Sequence, residues 1–169
     1  ADRVAEIVLM GGAFSEGNIT PAAEFNAWND PEALAILFKL GRPLAIATLD
    51  LTAQALVTPA IIDALAARQG GACLAAAVRI LRALPHSKRF DHRGFPLHDP
   101  CAVAWAMRPD LFTARPVQAE MDLAPGPSRG RTVFDRWERL GRPANVTLLE
   151  TLDAPAFFAL LGEHLARLP

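Results

Sequence analysis

The chain has 169 residues, of which 51% are hydrophobic and 21% charged. That length and balance imply one globular domain, residues 1–169, with a sizeable core, and exclude a solvated, coreless segment. A formal net charge of −1 offers no bulk attraction for a polyanion, so no nucleic-acid partner is expected.

The N-terminal stretch ADRVAEIVLMGG carries Asp2, Arg3 and Glu6 ahead of a short apolar run, which is not the pattern of a secretory signal. No run is long and uncharged enough to span a bilayer, so no membrane association is expected. Ile7-Val-Leu-Met10, closed by Gly11-Gly12, predicts a buried strand with a turn at its carboxyl end. A polar, glycine-bearing loop follows, to about Asn29. Asp30-Pro31-Glu32 combines a capping side chain, a proline suited to the first helical position and an acidic first turn. It predicts a helix through Ala33–Leu40 that stops at Gly41. Leu44–Leu49 predicts a second strand. Thr58-Pro59 opens a helix to about Arg68, and Gly70-Gly71 separate it from another that ends near Leu84. The segment from Pro85 to Leu97 reads as a loop. Asp99-Pro100 repeats the cap-plus-proline pattern before a helix over Cys101–Met107. Strands are predicted at Val117–Leu123, Thr132–Trp137 and Val146–Leu149, the first two joined as a hairpin through Pro125–Gly130. Asp153 caps a last amphipathic helix, Ala154–Leu168. Strand alternating with helix argues for an α/β fold with a parallel sheet.

Cys73 and Cys101 lie far apart and outside any CxxC pattern, so free thiols in a reducing cytoplasm are expected. Trp28, Trp105 and Trp137 default to the core, although Trp28 lies in the polar loop. Lys88, Arg89, His92 and Arg93 around Phe90 read as a solvated loop rather than a nucleic-acid patch. His86, His92 and His164 have no catalytic company.

Two clusters could carry chemistry. The first is Asn18, Glu24, Phe25 and Asn26, in the loop after a strand. In open α/β sheets ligands bind at the carboxyl ends of strands, and two amides with a carboxylate suit vicinal hydroxyls. On spacing alone the plainer reading is favoured, with Asn18 serving a turn and Glu24 and Asn26 solvated. The nearby glycines lack the GK[ST] of a phosphate loop. The second cluster is His98-Asp99-Pro100. Asp99 is either a helix cap or a hard ligand for a divalent cation. His98 is either a surface histidine or a general acid. Here too local sequence favours the plainer option.

Several blocks together resemble the inosine/uridine-preferring nucleoside hydrolases. They are IVLMGGAFSEGNITPAAEFNAWNDPEAL at 7–34, LDLTAQALVT at 49–58, LHDPCAVAW at 97–105, SRGRTVFD at 128–135 and NVTLLETLDAPAFFALL at 145–161. The resemblance runs in order over nearly the whole chain. It implies a Rossmann-like, mostly parallel sheet with flanking helices, plus a C-terminal β-hairpin and helix. It also implies ribonucleoside N-glycohydrolase activity in nucleoside salvage, with a nucleoside or ribose as ligand and a homo-oligomeric assembly, dimer or tetramer. Asn18, Glu24 and Asn26 match positions that bind the ribose hydroxyls. Met10 matches a residue lining the ribose pocket, and Phe25 an apolar residue near sugar or base. Asp99 matches a calcium ligand, and His98 a histidine that protonates the departing base.

The chain departs from the family pattern in two places. Ala53 stands where family members often have histidine. The aspartate-rich DxDxxxDD-type motif, which supplies most of the family's calcium carboxylates and its water-activating base, does not occur. The N-terminal part of the family fold is therefore expected to be missing and the chain to be an incomplete fragment. Calcium wants six to eight oxygens, and Asp99 alone cannot supply them. Ca2+ is accordingly expected in the intact enzyme and weak or absent binding in this chain. Lost strands would leave a sheet edge that favours self-association. The alternative is a non-catalytic ribose- or nucleoside-binding or structural module without a metal site.

Overall fold

The structure, a computed structural model, describes residues 3–85 and 88–169; His86 lies outside them. Its main sheet has five strands: β1 (Ile7–Met10), β2 (Leu44–Ala47), β5 (Phe112–Met121), β6 (Thr132–Asp135) and β7 (Val146–Leu152). Their order is β1-β2-β7-β5-β6. β1, β2 and β7 run parallel, Ile7 opposite Leu44 and Ala45 opposite Thr147. β3 (Leu56–Val57) and β4 (Phe95–Pro96) form a small antiparallel pair beside this sheet.

All four residues of β2 are buried. Leu44 and Ile46 join the core on one face of the sheet, while Ala45 and Ala47 join the core on the other. A strand covered on both faces needs no polar alternation, and for that reason Leu-Ala-Ile-Ala is apolar throughout. On the Leu44 face lie α1 (Phe25–Asn29) and α2 (Pro31–Leu37), through Ala27 and Leu34. On the Ala45 face lie α3 (Leu49–Thr52), α4 (Pro59–Ala66), α5 (Ala72–Ala83), α6 (Asp99–Met107) and α7 (Ala154–Arg167). Among the described residues β1 pairs only with β2, so its other edge carries no strand. No helix among them is long and apolar enough to cross a membrane.

The mostly parallel α/β sheet with flanking helices agrees with the sequence, and so do the helix starts at Asp30, Thr58 and Asp153, each side chain accepting a backbone N–H three residues on. Four local expectations change. The loop to Asn29 contains α1. The second strand ends at Ala47, because Thr48 is the N-cap of α3 and Leu49 its first residue. Asp99 is the first residue of α6 rather than its cap; His98 takes the cap position and makes no side-chain cap bond. The expected hairpin forms between β5 and β6, but its first strand starts earlier than the sequence suggests. β5 begins at Phe112, its first half pairs antiparallel with β7, and its second half pairs with β6.

Two tryptophans do not enter the core. Trp28 is 43% exposed and Trp137 80% exposed, and only Trp105 packs inward, edge-on to Phe112 at 5.7 Å.

Candidate functional site

Met10 is the last residue of β1, so the chain leaves the sheet at a carboxyl strand end, where open α/β folds place their ligands. The loop beyond it is tied down from several sides. Gly12, at φ +72°, lies against Thr132 of β6 at a separation a side chain would not tolerate. Thr132 itself accepts from Ala13 N and donates to Ala13 O. Asp50 of α3 accepts from Phe14 N at 2.9 Å. Further on, Gly17 packs against backbone. A Cβ there would fall 2.2 Å from Ala23 O and 2.3 Å from Thr20 O. Only glycine allows the chain to fold back so that Asn18 N bonds Ala23 O at 3.1 Å, which fixes Asn18 next to α1.

Glu24 organises the site. It is 2% exposed, and its side chain caps α1. Oε2 accepts from Gly12 N at 2.8 Å and Ala27 N at 3.0 Å; Oε1 accepts from Asn26 N at 2.9 Å. The expected alternative of a solvated Glu24 is thus wrong: the carboxylate is buried because three backbone donors satisfy it. Asn18 Oδ1 accepts from Phe25 N at 2.8 Å. Asn26 Nδ2 donates to Met10 O at 3.2 Å and contacts Met10 Sδ at 3.4 Å. What remains open among described partners is complementary: the Nδ2 donor of Asn18 and the Oδ1 acceptor of Asn26. Phe25 is half exposed beside them.

His98 and Asp99 reach the same place from a distant segment. The β3–β4 pair sets Phe95 against Val57, and Leu97 N donates to Ala55 O at 3.0 Å. His98 Nδ1 lies 2.7 Å from the hydroxyl of Thr52, a fully buried residue at the end of α3. Nε2 has no partner among the described residues. Burial is the main influence on the ring and lowers its pKa; Asp99 and Glu24 act in the opposite direction, and Arg89 adds to the lowering. Asp99 is exposed, and no described residue donates a hydrogen bond to its carboxylate.

These segments line an open cleft of about 400 Å³ formed by Met10, Asn18, Glu24, Phe25, Asn26, His98 and Asp99, with Leu97 and Pro100. Each of the seven candidate site residues read from the sequence lines it. Sequence reasoning missed two neighbours. Thr52 lies within the block LDLTAQALVT, but that block assigns it no role. Arg89, assigned to a solvated loop, donates to Gly17 O at 3.0 Å and lies 3.5 Å from Glu16, so the basic segment folds onto the loop that follows β1. Arg89 is 72 residues from Gly17, and no local pattern could pair them.

A calcium shell does not fit the described residues alone. Among them no group of three or more His, Cys, Asp or Glu side chains could hold a metal, and one carboxylate falls well short of the oxygens calcium takes.

Comparison with known proteins places the sequence and the fold. A pyrimidine-specific ribonucleoside hydrolase of Shewanella oneidensis is 39% identical over 167 residues, covering 98% of this chain and 52% of that protein. The chain spans about half the length of the curated relatives it matches. Among solved structures, a plant nucleoside hydrolase superposes with a TM-score of 0.86 at 26% identity, over 99% of this chain and 55% of the other. A purine-preferring ribonucleoside hydrolase from Gardnerella vaginalis superposes at 0.81 with 31% identity, over 98% of this chain and 54% of its own. The model of the inosine-uridine preferring nucleoside hydrolases matches residues 1–159, and the chain belongs to that family.

Proposed function

We propose that this chain supplies the sugar-binding and leaving-group side of a ribonucleoside N-glycohydrolase site. The observation that carries the reading is convergence. Residues 10–26 and 97–100, far apart in sequence, line one cavity with an open amide donor, an open amide acceptor and an imidazole. The relatives with named substrates include both pyrimidine-specific and purine-preferring enzymes, so either base class fits.

The roles follow from which atoms are left open. Asn18 Nδ2 donates to one ribose hydroxyl, and Asn26 Oδ1 accepts from its neighbour. Glu24 Oε1 already takes one backbone N–H and has a lone pair left for a hydroxyl. Its larger task is to hold the loop and α1 in register. Met10 and Phe25 give the ring an apolar wall. As the C1′–N bond breaks, charge builds on the sugar in an oxocarbenium-like state. His98 gives a proton to the departing base while water bonds to C1′, and the proton lost by water balances the one His98 gave.

Asp99 offers an exposed hard carboxylate for calcium in the whole protein, where the remaining oxygens must come from beyond the described residues. Calorimetry with calcium is expected to show at most weak binding to this chain. Submicromolar affinity would mean that ligands exist which this reading lacks. Homo-oligomer formation and a cytoplasmic location belong to the same proposal. The uncovered edge of β1 supports the former, and sedimentation of a stable monomer at high concentration would count against it.

The decisive experiment compares a natural ribonucleoside with a nitrophenyl riboside, in wild-type full-length protein and in His98→Ala. The natural substrate should lose roughly 10²–10⁴-fold in kcat/KM, the usual worth of general-acid help. The activated riboside, whose leaving group needs no proton, should be largely spared. Equal losses would remove His98 as the acid. Nucleoside binding without cleavage would favour the non-catalytic binding module.

A further inference from the structure

The Thr52 hydroxyl has one hydrogen and two neighbours. It donates to Leu49 O at 3.4 Å, and His98 Nδ1 lies 2.7 Å away on its other side. Both contacts hold at once in only one proton arrangement: Nδ1–H donates to Oγ1, and Oγ1–H points to the Leu49 carbonyl. Thr52 is fully buried, so water does not compete for either bond. The backbone that carries the ring is held as well, by Leu97 N on Ala55 O and by Cys101 N on the His98 carbonyl at 3.1 Å.

Resting on the reading of His98 as proton donor, we propose that Thr52 is its positioning residue, holding a proton on Nδ1 so that Nε2 is the nitrogen that serves the departing base. When the Nε2–H bond breaks and the base N–H bond forms, the ring is left neutral with its proton still on Nδ1. The Thr52 contact is then the same before and after transfer, and no buried group turns. The opposite arrangement, with Thr52 donating to Nδ1, would leave the neutral ring protonated at Nε2. Transfer would then require the hydroxyl to reverse on every turnover.

The test is a nitrogen-15 spectrum of the histidine-labelled chain in mildly alkaline solution, where the ring is neutral; His98→Gln identifies the signal. The expected result is a protonated, pyrrole-type Nδ1 and a bare, pyridine-type Nε2, the reverse of free histidine. Thr52→Ser should keep this pattern, and Thr52→Val should lose it while the backbone spectrum stays folded. A wild-type ring protonated at Nε2 would overturn the proposal, as would Thr52→Val retaining protonated Nδ1. The wild-type spectrum decides by itself if the valine variant does not fold. This readout needs no substrate. If the riboside comparison removed His98 as the acid, a held Nδ1 proton would still establish what Thr52 does.

Discussion

Replacing Glu24 with glutamine tests whether one buried carboxylate holds the loop between β1 and α1 together. The side chain is 2% exposed and accepts three backbone N–H groups, from Gly12, Asn26 and Ala27. Glutamine keeps the shape but turns one oxygen into an NH2. Its remaining oxygen best replaces Oε2, which takes two donors, and that leaves the NH2 facing Asn26 N–H. A buried donor left unsatisfied costs about 1–3 kcal/mol. The two surviving bonds lose their charge assistance, worth about 1 kcal/mol more. Relief of carboxylate desolvation offsets part of this. A net loss of about 2–3 kcal/mol results, and Glu24→Ala, which also removes the cap of α1, should cost about 1 kcal/mol beyond that. Urea denaturation followed by circular dichroism reads it directly. With a slope near 2 kcal/mol/M the midpoint should fall by about 1–1.5 M at unchanged slope. A Glu24→Gln variant within about 0.5 kcal/mol of wild type, the range of an ordinary surface change, would refute the reasoning.

Gly17→Ala forces a Cβ to within 2.2 Å of Ala23 O; it should cost about 1–3 kcal/mol, as overpacking does, and weaken ribonucleoside binding through displacement of Asn18, which calorimetry would show. Burial lowers the His98 pKa, so between its ordinary value and the lower folded one the unfolded chain binds more protons. Stability should therefore fall as pH drops from about 6.5, and urea midpoints from pH 7 to 5 should show a shallower fall in His98→Gln. Cys101 is fully buried, donates to Leu97 O, and has its thiol pKa pushed up to about 12 by burial. A thiol reagent should label only the half-buried Cys73 in the native chain and both thiols in denaturant; equal native rates would contradict this burial. Leu148, fully buried on β7, should cost about 2–5 kcal/mol on truncation to alanine, measured by the same denaturation.

Much of this protein is local and therefore legible in its sequence. Asp30-Pro31, Thr58-Pro59 and Asp153 announce helices because a cap bond spans only two or three residues. Leu44–Ala47 announces a strand because a strand buried on both faces must be apolar; Ile7–Met10, read as buried from the same kind of run, is instead the half-buried edge strand β1. The cavity-lining residues were also legible, because the blocks that resemble the family hold them. Tertiary structure decided what those residues have left to offer. Glu24 and Asp99 are both acidic residues beside a helix start. Glu24 spends its carboxylate on three backbone donors, one of them Gly12 from twelve residues back. Asp99 cedes the cap position to His98 and keeps its carboxylate open. Thr52 meets His98 across 46 residues and Arg89 meets Gly17 across 72. Such contacts depend on which strands lie side by side. A hydrogen bond reaches about 3 Å, and sequence spacing carries no information about that distance once the chain has turned.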